Sequence, residues 1–352
     1  MTSVDQLLPV LSSGDAIGGS VRRTRGMLQN LGFESHIFAD VIDERLASEA
    51  NPAADLSARP NADGVVMYHL SVGSWTADLF RNVSARRVVV YHNITPPKYF
   101  EDTNAAVRGA VELGRRQLAS LAPVVALCIA CSEYNAAEAR EAGYGNVVVI
   151  PPAVDLDRLS PEPGEAASPA EILFVGRFAV NKRHDTLVRA LAVLRAEGVD
   201  VRLVLTGRAE DNGPYVAALE ALAIRLGVSE HVDFRDEHVS DAELRTMYQR
   251  AAVFATASEH EGFCVPLIEA MAFDLPIVAR RAAAIPDTLA GAGLLIDGDD
   301  PLLWAAALGR VLKDRALRAG LIEAGRDRFT AFEPAVIQER LGTALSDLGI
   351  VP

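Results

Sequence analysis

Short runs of Val, Ile, Leu and Ala alternate with longer helical patterns along this chain, and they do so twice over. A strand covered by helices on both faces is written as an unbroken apolar run, so the pattern specifies βαβ units around a parallel sheet. In the first series the runs at 7–11, 34–39, 64–69, 87–91, 125–130 and 146–150 are expected strands. Helices are expected at 21–31, 104–121 and 132–142, the last with Ser132 as its N-cap. Residues 151–170 then shift to Pro, Ala, Gly and acids, the composition of a linker. The second series has strands at 172–175, 201–205, 232–234, 253–256, 277–279 and 293–296, and helices at 301–312, 315–329 and 334–348 close the chain. A chain of 352 residues has room for two such domains. Joined by one linker, they would leave a cleft, and ligands of open parallel sheets bind outside the carboxyl ends of the strands.

Charge narrows the function. The net charge of -13 disfavours nucleic acid, which needs a basic face, and gives no support for a polybasic grip on anionic lipid. Asp5 interrupts the start before any apolar leader can form, and the apolar run at 121–130 is too short to span a bilayer and contains Pro123. A cytoplasmic protein with no transmembrane segment is expected, peripheral membrane contact being left open. The three cysteines cannot make a disulfide framework. Cys128 and Cys131 form a CxxC, but inside an expected strand, where buried structural thiols are the reading. No ligand cluster points to a metal, and no cofactor is expected.

Most of the polar motifs fall just after expected strands. Gly14-Asp15-Ala16-Ile17-Gly18-Gly19 follows the first strand and opens a helix; its spacing is not that of a dinucleotide fingerprint. Adjacent Gly18 and Gly19 would let a phosphate or sugar approach the backbone, and Asp15 either touches a sugar hydroxyl or caps the helix. His69 and Ser71 follow the strand at 64–69, and His92 and Asn93 follow that at 87–91, stiffened by Pro96-Pro97. Gly176 and Arg177 end the strand at 172–175, with Lys182 beyond them, cations suited to a pyrophosphate. The alternative is surface pairing with Asp185 or Glu171. Ser258–Met271 carries Glu261 and Glu269 around Gly262-Phe263-Cys264-Val265, whose N–H groups stand beside a helix N-terminus. Two carboxylates also suggest a glycosidase pair, but such pairs usually come from separate strands or loops.

Together these motifs resemble, in order and over nearly the whole chain, retaining GT-B glycosyltransferases of the family 4 type, with Glu261 and Glu269 as their E-x7-E signature. The resemblance implies GT-B architecture, two Rossmann-like domains facing across a cleft. The domains would be 1–160 on the acceptor side, 161–332 on the nucleotide-sugar side, and 333–352 crossing back to the first. It implies transfer of a sugar from a UDP- or GDP-sugar to a hydroxyl of a glycan, lipid-linked or natural-product acceptor, front-face and metal-independent. Arg177 and Lys182 would clamp the diphosphate, Glu261 would bind the transferred sugar, and Glu269 would accept both ribose hydroxyls. Gly18, Gly19, Gly176 and the N–H groups of Gly262, Phe263, Cys264 and Val265 would line the donor site. His92 would contact the reacting centre, with Asp15, His69, Ser71 and Asn93 on the acceptor side. Cys264 stands where relatives usually have Gly. Another GT-B enzyme, such as a nucleotide-sugar epimerase, would share the fold; the other alternative is an inactive sugar-nucleotide-binding module, against which the presence of all the motif residues argues.

Overall fold

The apolar runs become the inner strands of two parallel sheets in a computed structural model, described here over residues 2–59, 64–101, 105–159, 167–209 and 212–352. The chain divides into two units, Met1–Asp155 with Ala331–Pro352, and Leu156–Thr330.

In the first unit the strands are β1 (Val4–Leu11), β2 (Ile37–Ile42), β3 (Asn51–Pro52), β4 (Val65–Leu70), β5 (Arg86–Tyr91), β6 (Leu127–Ala130) and β7 (Val147–Val149). Their order is β3-β2-β1-β4-β5-β6-β7. Every pairing is parallel. Connecting helices are α1 (Ala16–Asn30), α2 (Thr76–Asn82), α3 (Ala105–Leu121) and α4 (Glu133–Glu141). Buried side chains pack on both sheet faces, as continuous apolar strands require. Ser132 caps α4 as expected, accepting from the Asn135 N–H.

The second unit repeats the plan with β8 (Ala170–Val175), β9 (Val201–Thr206), β10 (Val232–Arg235), β11 (Ala251–Thr256), β12 (Ile277–Arg280) and β13 (Leu294–Ile296), ordered β10-β9-β8-β11-β12-β13. Its helices are α5 (His184–Ala196), α6 (Gly213–Arg225), α7 (Asp241–Arg250), α8 (Val265–Ala272), α9 (Ile285–Leu289), α10 (Pro301–Lys313) and α11 (Arg315–Phe329). In each sheet the order reverses beside the first strand, between β1 and β4 and between β8 and β11. That reversal is where doubly wound sheets bind ligands.

The final helix, α12 (Pro334–Asp347), packs Ile337, Leu341 and Leu345 with Met27 and Leu28 of α1 in the first unit. The unit boundaries fall at 155/156 and 330/331, not at 160/161 and 332/333. Ion pairs fall on the same sides of the first boundary: Asp155 pairs with Arg23 of the first unit, whereas Arg158 pairs with Asp241 and Glu269 of the second. Pro161 and Pro163 of the expected linker, and Asn104 at the expected start of α3, lie outside the described residues. Among those described, no helix is long and apolar enough to cross a membrane.

Candidate active site

The second unit gathers its polar residues at the ends of β8 and β11, the two strands at its reversal point. After β8 the backbone folds into a short turn at Val180–Lys182, and the chain after β11 runs past it to α8. Asn181, 6% exposed, clips the two segments together. Its carbonyl accepts from the Glu259 N–H (2.8 Å) and its amide donates to the His260 carbonyl (3.2 Å). The clip brings Lys182 Nζ to 2.7 Å from Glu261 Oε1. Lys182 therefore does not pair with Asp185 or Glu171, the surface alternative. Those acids are taken by Arg183 and Arg250.

Arg183 has a left-handed backbone (φ 52°) and holds Asp185, Glu259 (2.5 Å) and Asp299 (2.7 Å), so it braces the Lys182 turn. Arg177 stands exposed just past β8. Gly176 beside it is crossed by Gly207, where a Cβ would lie 2.2 Å from the Gly176 carbonyl oxygen. Only glycine fits there.

Glu261 and Glu269 belong to separate pairs. Glu269, 3% exposed, accepts on Oε2 from the Tyr248 hydroxyl (2.7 Å) and on Oε1 from the Arg158 guanidinium. Burial first, then the adjacent Glu269 charge, keeps the Tyr248 hydroxyl protonated, its pKa well above the usual value. The loop between the glutamates is pinned from outside: the Phe263 carbonyl accepts from the Thr288 hydroxyl (2.7 Å) and that of Glu261 from the Ala284 N–H (3.2 Å). Cys264 is the N-cap of α8 at φ 73°, ψ 70°, the left-handed region that glycine occupies without strain. Its thiol is buried and its pKa is pushed well above the usual value by burial and then by Glu261, so it carries no thiolate. Val265 opens α8, followed by Pro266.

In the first unit the expected residues follow β1, β4 and β5. Gly18 is needed for packing, because a Cβ there would lie 2.5 Å from the Ser12 carbonyl oxygen. Gly19 has open space at its Cβ position, and its N–H donates to the Asp15 carbonyl (3.0 Å). Asp15 occupies the N-cap position of α1 but makes no side-chain capping bond. Ser71 follows β4 directly. Two acceptor-side expectations need correction. His69 is 1% exposed, with one ring nitrogen bonded to His92 and the other to Gln6, so it supports His92 and offers no edge to a ligand. Asn93 (φ 80°) turns its amide inward to Asn135 (2.9 Å) and Glu138 (3.2 Å) on α4. His92 is half-buried at the end of β5, and burial pushes its pKa down to about 4. Cys128 and Cys131 are buried free thiols with pKa values pushed up to about 12, as burial in β6 and just after it dictates.

The sequence motifs assign no role of their own to Asn181, Tyr248, Arg158 or Gln6. Asn181 carried a signal, standing between β8 and Lys182 among polar neighbours. Tyr248 looks like core on α7, Arg158 like linker, and Gln6 like an interruption of β1.

Residues 156–328 match the family described as Glycosyl transferases group 1. The chain is 36% identical over 201 residues to a D-inositol 3-phosphate glycosyltransferase of Xylanimonas cellulosilytica, covering 53% of this chain and 47% of that protein. It is 32% identical over 195 residues to the GDP-mannose-dependent alpha-(1-6)-phosphatidylinositol monomannoside mannosyltransferase of Mycolicibacterium smegmatis, covering 50% of each. The chain thus spans about half the length of the curated relatives it matches. Solved structures resemble it along its whole length. Sucrose-phosphate synthase from Thermosynechococcus elongatus gives a TM-score of 0.77 at 19% identity over 98% of this chain and 99% of that one. Anabaena HepE in complex with UDP-glucose gives 0.76 at 17% over 99% and 100%. That likeness concerns the fold, which is the GT-B architecture of two Rossmann-like domains expected from the sequence. The stretch that matches glycosyl transferases group 1, residues 156–328, is the one that carries Lys182, Glu261 and Glu269.

Proposed function

We propose that the protein is a retaining glycosyltransferase that moves a sugar from a UDP- or GDP-sugar to an acceptor hydroxyl in the cytoplasm. The observation that carries this reading is the Lys182–Glu261 pair at 2.7 Å, set at the reversal point of the second sheet. An ammonium has three donors, so Lys182 can keep Glu261 with one and meet a phosphate oxygen with another. Glu269 supports the ribose end. Each carboxylate oxygen has two lone pairs, and Tyr248 and Arg158 take one each, leaving one per oxygen for a vicinal diol.

In the reaction, the bond between the anomeric carbon and the diphosphate oxygen breaks, and the acceptor oxygen bonds that carbon on the same face. The acceptor proton passes to the leaving phosphate oxygen. Arg177 and Lys182 supply fixed positive charge where negative charge grows, and no metal is required for that neutralisation. The donor classes agree with the names of similar proteins, one GDP-mannose-dependent and one solved with UDP-glucose. The acceptor would be a polyol, glycan or lipid-linked hydroxyl.

Thermal unfolding in EDTA against UDP, GDP, ADP, dTDP and NAD tests the reading. One nucleoside diphosphate should raise the midpoint; a ligand at a hundred times its Kd contributes about 2.7 kcal/mol. No shift with any diphosphate, or a shift with NAD alone, would refute it.

A further inference from the structure

A chain of hydrogen bonds runs through the first unit from α1 to the end of β6, and its direction is fixed at one end. The Gln6 amide nitrogen, on β1, lies 3.1 Å from the Val21 carbonyl oxygen. A carbonyl only accepts, so that end of the amide is the NH2 and Oε1 faces the other way. His69 Nε2 lies 3.0 Å from Gln6 Oε1 and must therefore carry a hydrogen. Burial, then the neighbouring His92, holds the His69 pKa well below the usual value, so the ring is neutral and its Nδ1 is bare. That Nδ1 lies 2.8 Å from His92 Nε2. Two bare nitrogens would repel at this distance, so His92 Nε2 is protonated. The rings meet edge to edge, with centroids 5.1 Å apart and planes 22° apart, which aims the N–H of one at the lone pair of the other. His92 is also neutral, since burial brings its pKa down to about 4. Its Nδ1 is therefore bare, with the Cys131 thiol, a weak donor, 3.5 Å away.

We infer that Gln6 and His69 are positioning residues that lock His92 in its Nε2–H tautomer, so that the ring offers a ligand an acceptor at Nδ1 and no donor. The group that could displace the weakly donating Cys131 thiol from Nδ1 is a hydroxyl, as on a sugar, and not a phosphate or carboxylate oxygen. The use of Nδ1 by a substrate rests on the transferase reading; the tautomer does not.

Long-range proton–nitrogen spectra of the full chain with nitrogen-15-labelled histidine, at pH 7, read the tautomer directly, with His92→Gln assigning the signal. Wild type should show a protonated Nε2 and a bare Nδ1. His69→Asn keeps an acceptor where His69 Nδ1 was and should preserve the His92 pattern. His69→Leu removes it and should let the two His92 tautomers mix. Transfer by the Leu variant should fall about tenfold in kcat/KM, while the Asn variant stays within about threefold of wild type. A protonated Nδ1 or an imidazolium in wild type, or an unchanged His92 pattern in His69→Leu, would overturn the inference. The spectra stand whatever is turned over, so a lock present without transfer would count against the transferase reading and leave the tautomer intact.

Discussion

Replacing Glu269 by Gln should destabilise the second unit by about 2 kcal/mol, and the structure says why the figure is neither smaller nor larger. Glu269 is 3% exposed, and its carboxylate accepts from both Tyr248 and Arg158. A glutamine has one oxygen, so one donor meets an NH2 instead. A hydrogen bond to a charged group contributes about 1.5–3 kcal/mol, and breaking a fully buried ion pair costs about 3–5. Arg158 is 30% exposed and keeps Asp241, so water and a second acid soften the loss. The result should lie near the lower range. Asp241→Asn is the internal contrast. It removes the other partner of the same arginine, but its side chain is 55% exposed, so the change should be under about 0.5 kcal/mol. The protein has two tryptophans, Trp75 in the first unit and fully buried Trp304 in the second, so a Trp75→Phe background leaves Trp304 fluorescence reporting the second unit alone. At an m-value of about 2 kcal/mol/M, Glu269→Gln should lower the urea midpoint by about 1 M. Equal small shifts for Glu269→Gln and Asp241→Asn would refute the claim that burial makes one pair matter and the other not. The same Glu269→Gln variant should lose the thermal shift given by the cognate nucleoside diphosphate.

Lys182→Ala should lower kcat about a hundredfold or more, because preorganised charge at the leaving group is lost, while affinity for the intact nucleotide-sugar donor changes far less; steady-state kinetics beside a donor titration would show whether the two separate. His184 is fully buried against Phe174 and Phe178, and burial, then Lys182, pushes its pKa down to about 3. An unfolded histidine protonates near pH 6.5, so between pH 6.5 and 3 the unfolded chain holds a proton that the native state lacks. Its contribution is therefore complete above pH 6.5 and is lost as pH falls, by about 1.4 kcal/mol per pH unit. Urea midpoints from Trp304 at pH 5 and pH 7 should diverge less in His184→Phe than in wild type; equal divergence would mean that His184 is protonated in the native state.

How well the sequence foretold each element follows from what buries it. Inner strands such as β5 and β11 are covered on both faces, so they carry uninterrupted apolar stretches, Val88–Tyr91 and Ala251–Ala255, and their positions are plain. The start of β1 is not, because Asp5 and Gln6, both 0% exposed, interrupt the pattern. Asp5 is tolerated there by pairing with Arg59 and His36, partners that no local pattern announces. β2 was expected at 34–39 and runs Ile37–Ile42, since Asp40 and Val41 are exposed and the strand continues past its apolar residues. β3, two residues long and exposed, follows only from its pairing with β2.

The candidate site divides along the same physical line. Lys182, Glu261 and Glu269 come from two connections at one reversal point, so their chemistry is concentrated in two short motifs and can be found by reading along the chain. What orients them comes from elsewhere. Tyr248 reaches Glu269 from α7, 21 residues away, and Arg158 reaches it across 111. In the first unit, Gln6 and His69 stand 63 residues apart and His92 another 23 beyond. Hydrogen-bond partners at such separations have no period and no composition; each is a polar residue in a stretch that otherwise reads as core or linker. Cys264 marks the limit of the motif itself. Its residue type departs from the glycine expected by resemblance, yet its backbone takes the left-handed conformation that makes glycine the natural choice there. Thr288, Ala284 and Asn181 hold the loop by hydrogen bonds to Phe263, Glu261 and His260. A turn anchored by its surroundings can tolerate a strained residue, so the geometry of this loop is set by the contacts around it and not by the residue type at Cys264 alone.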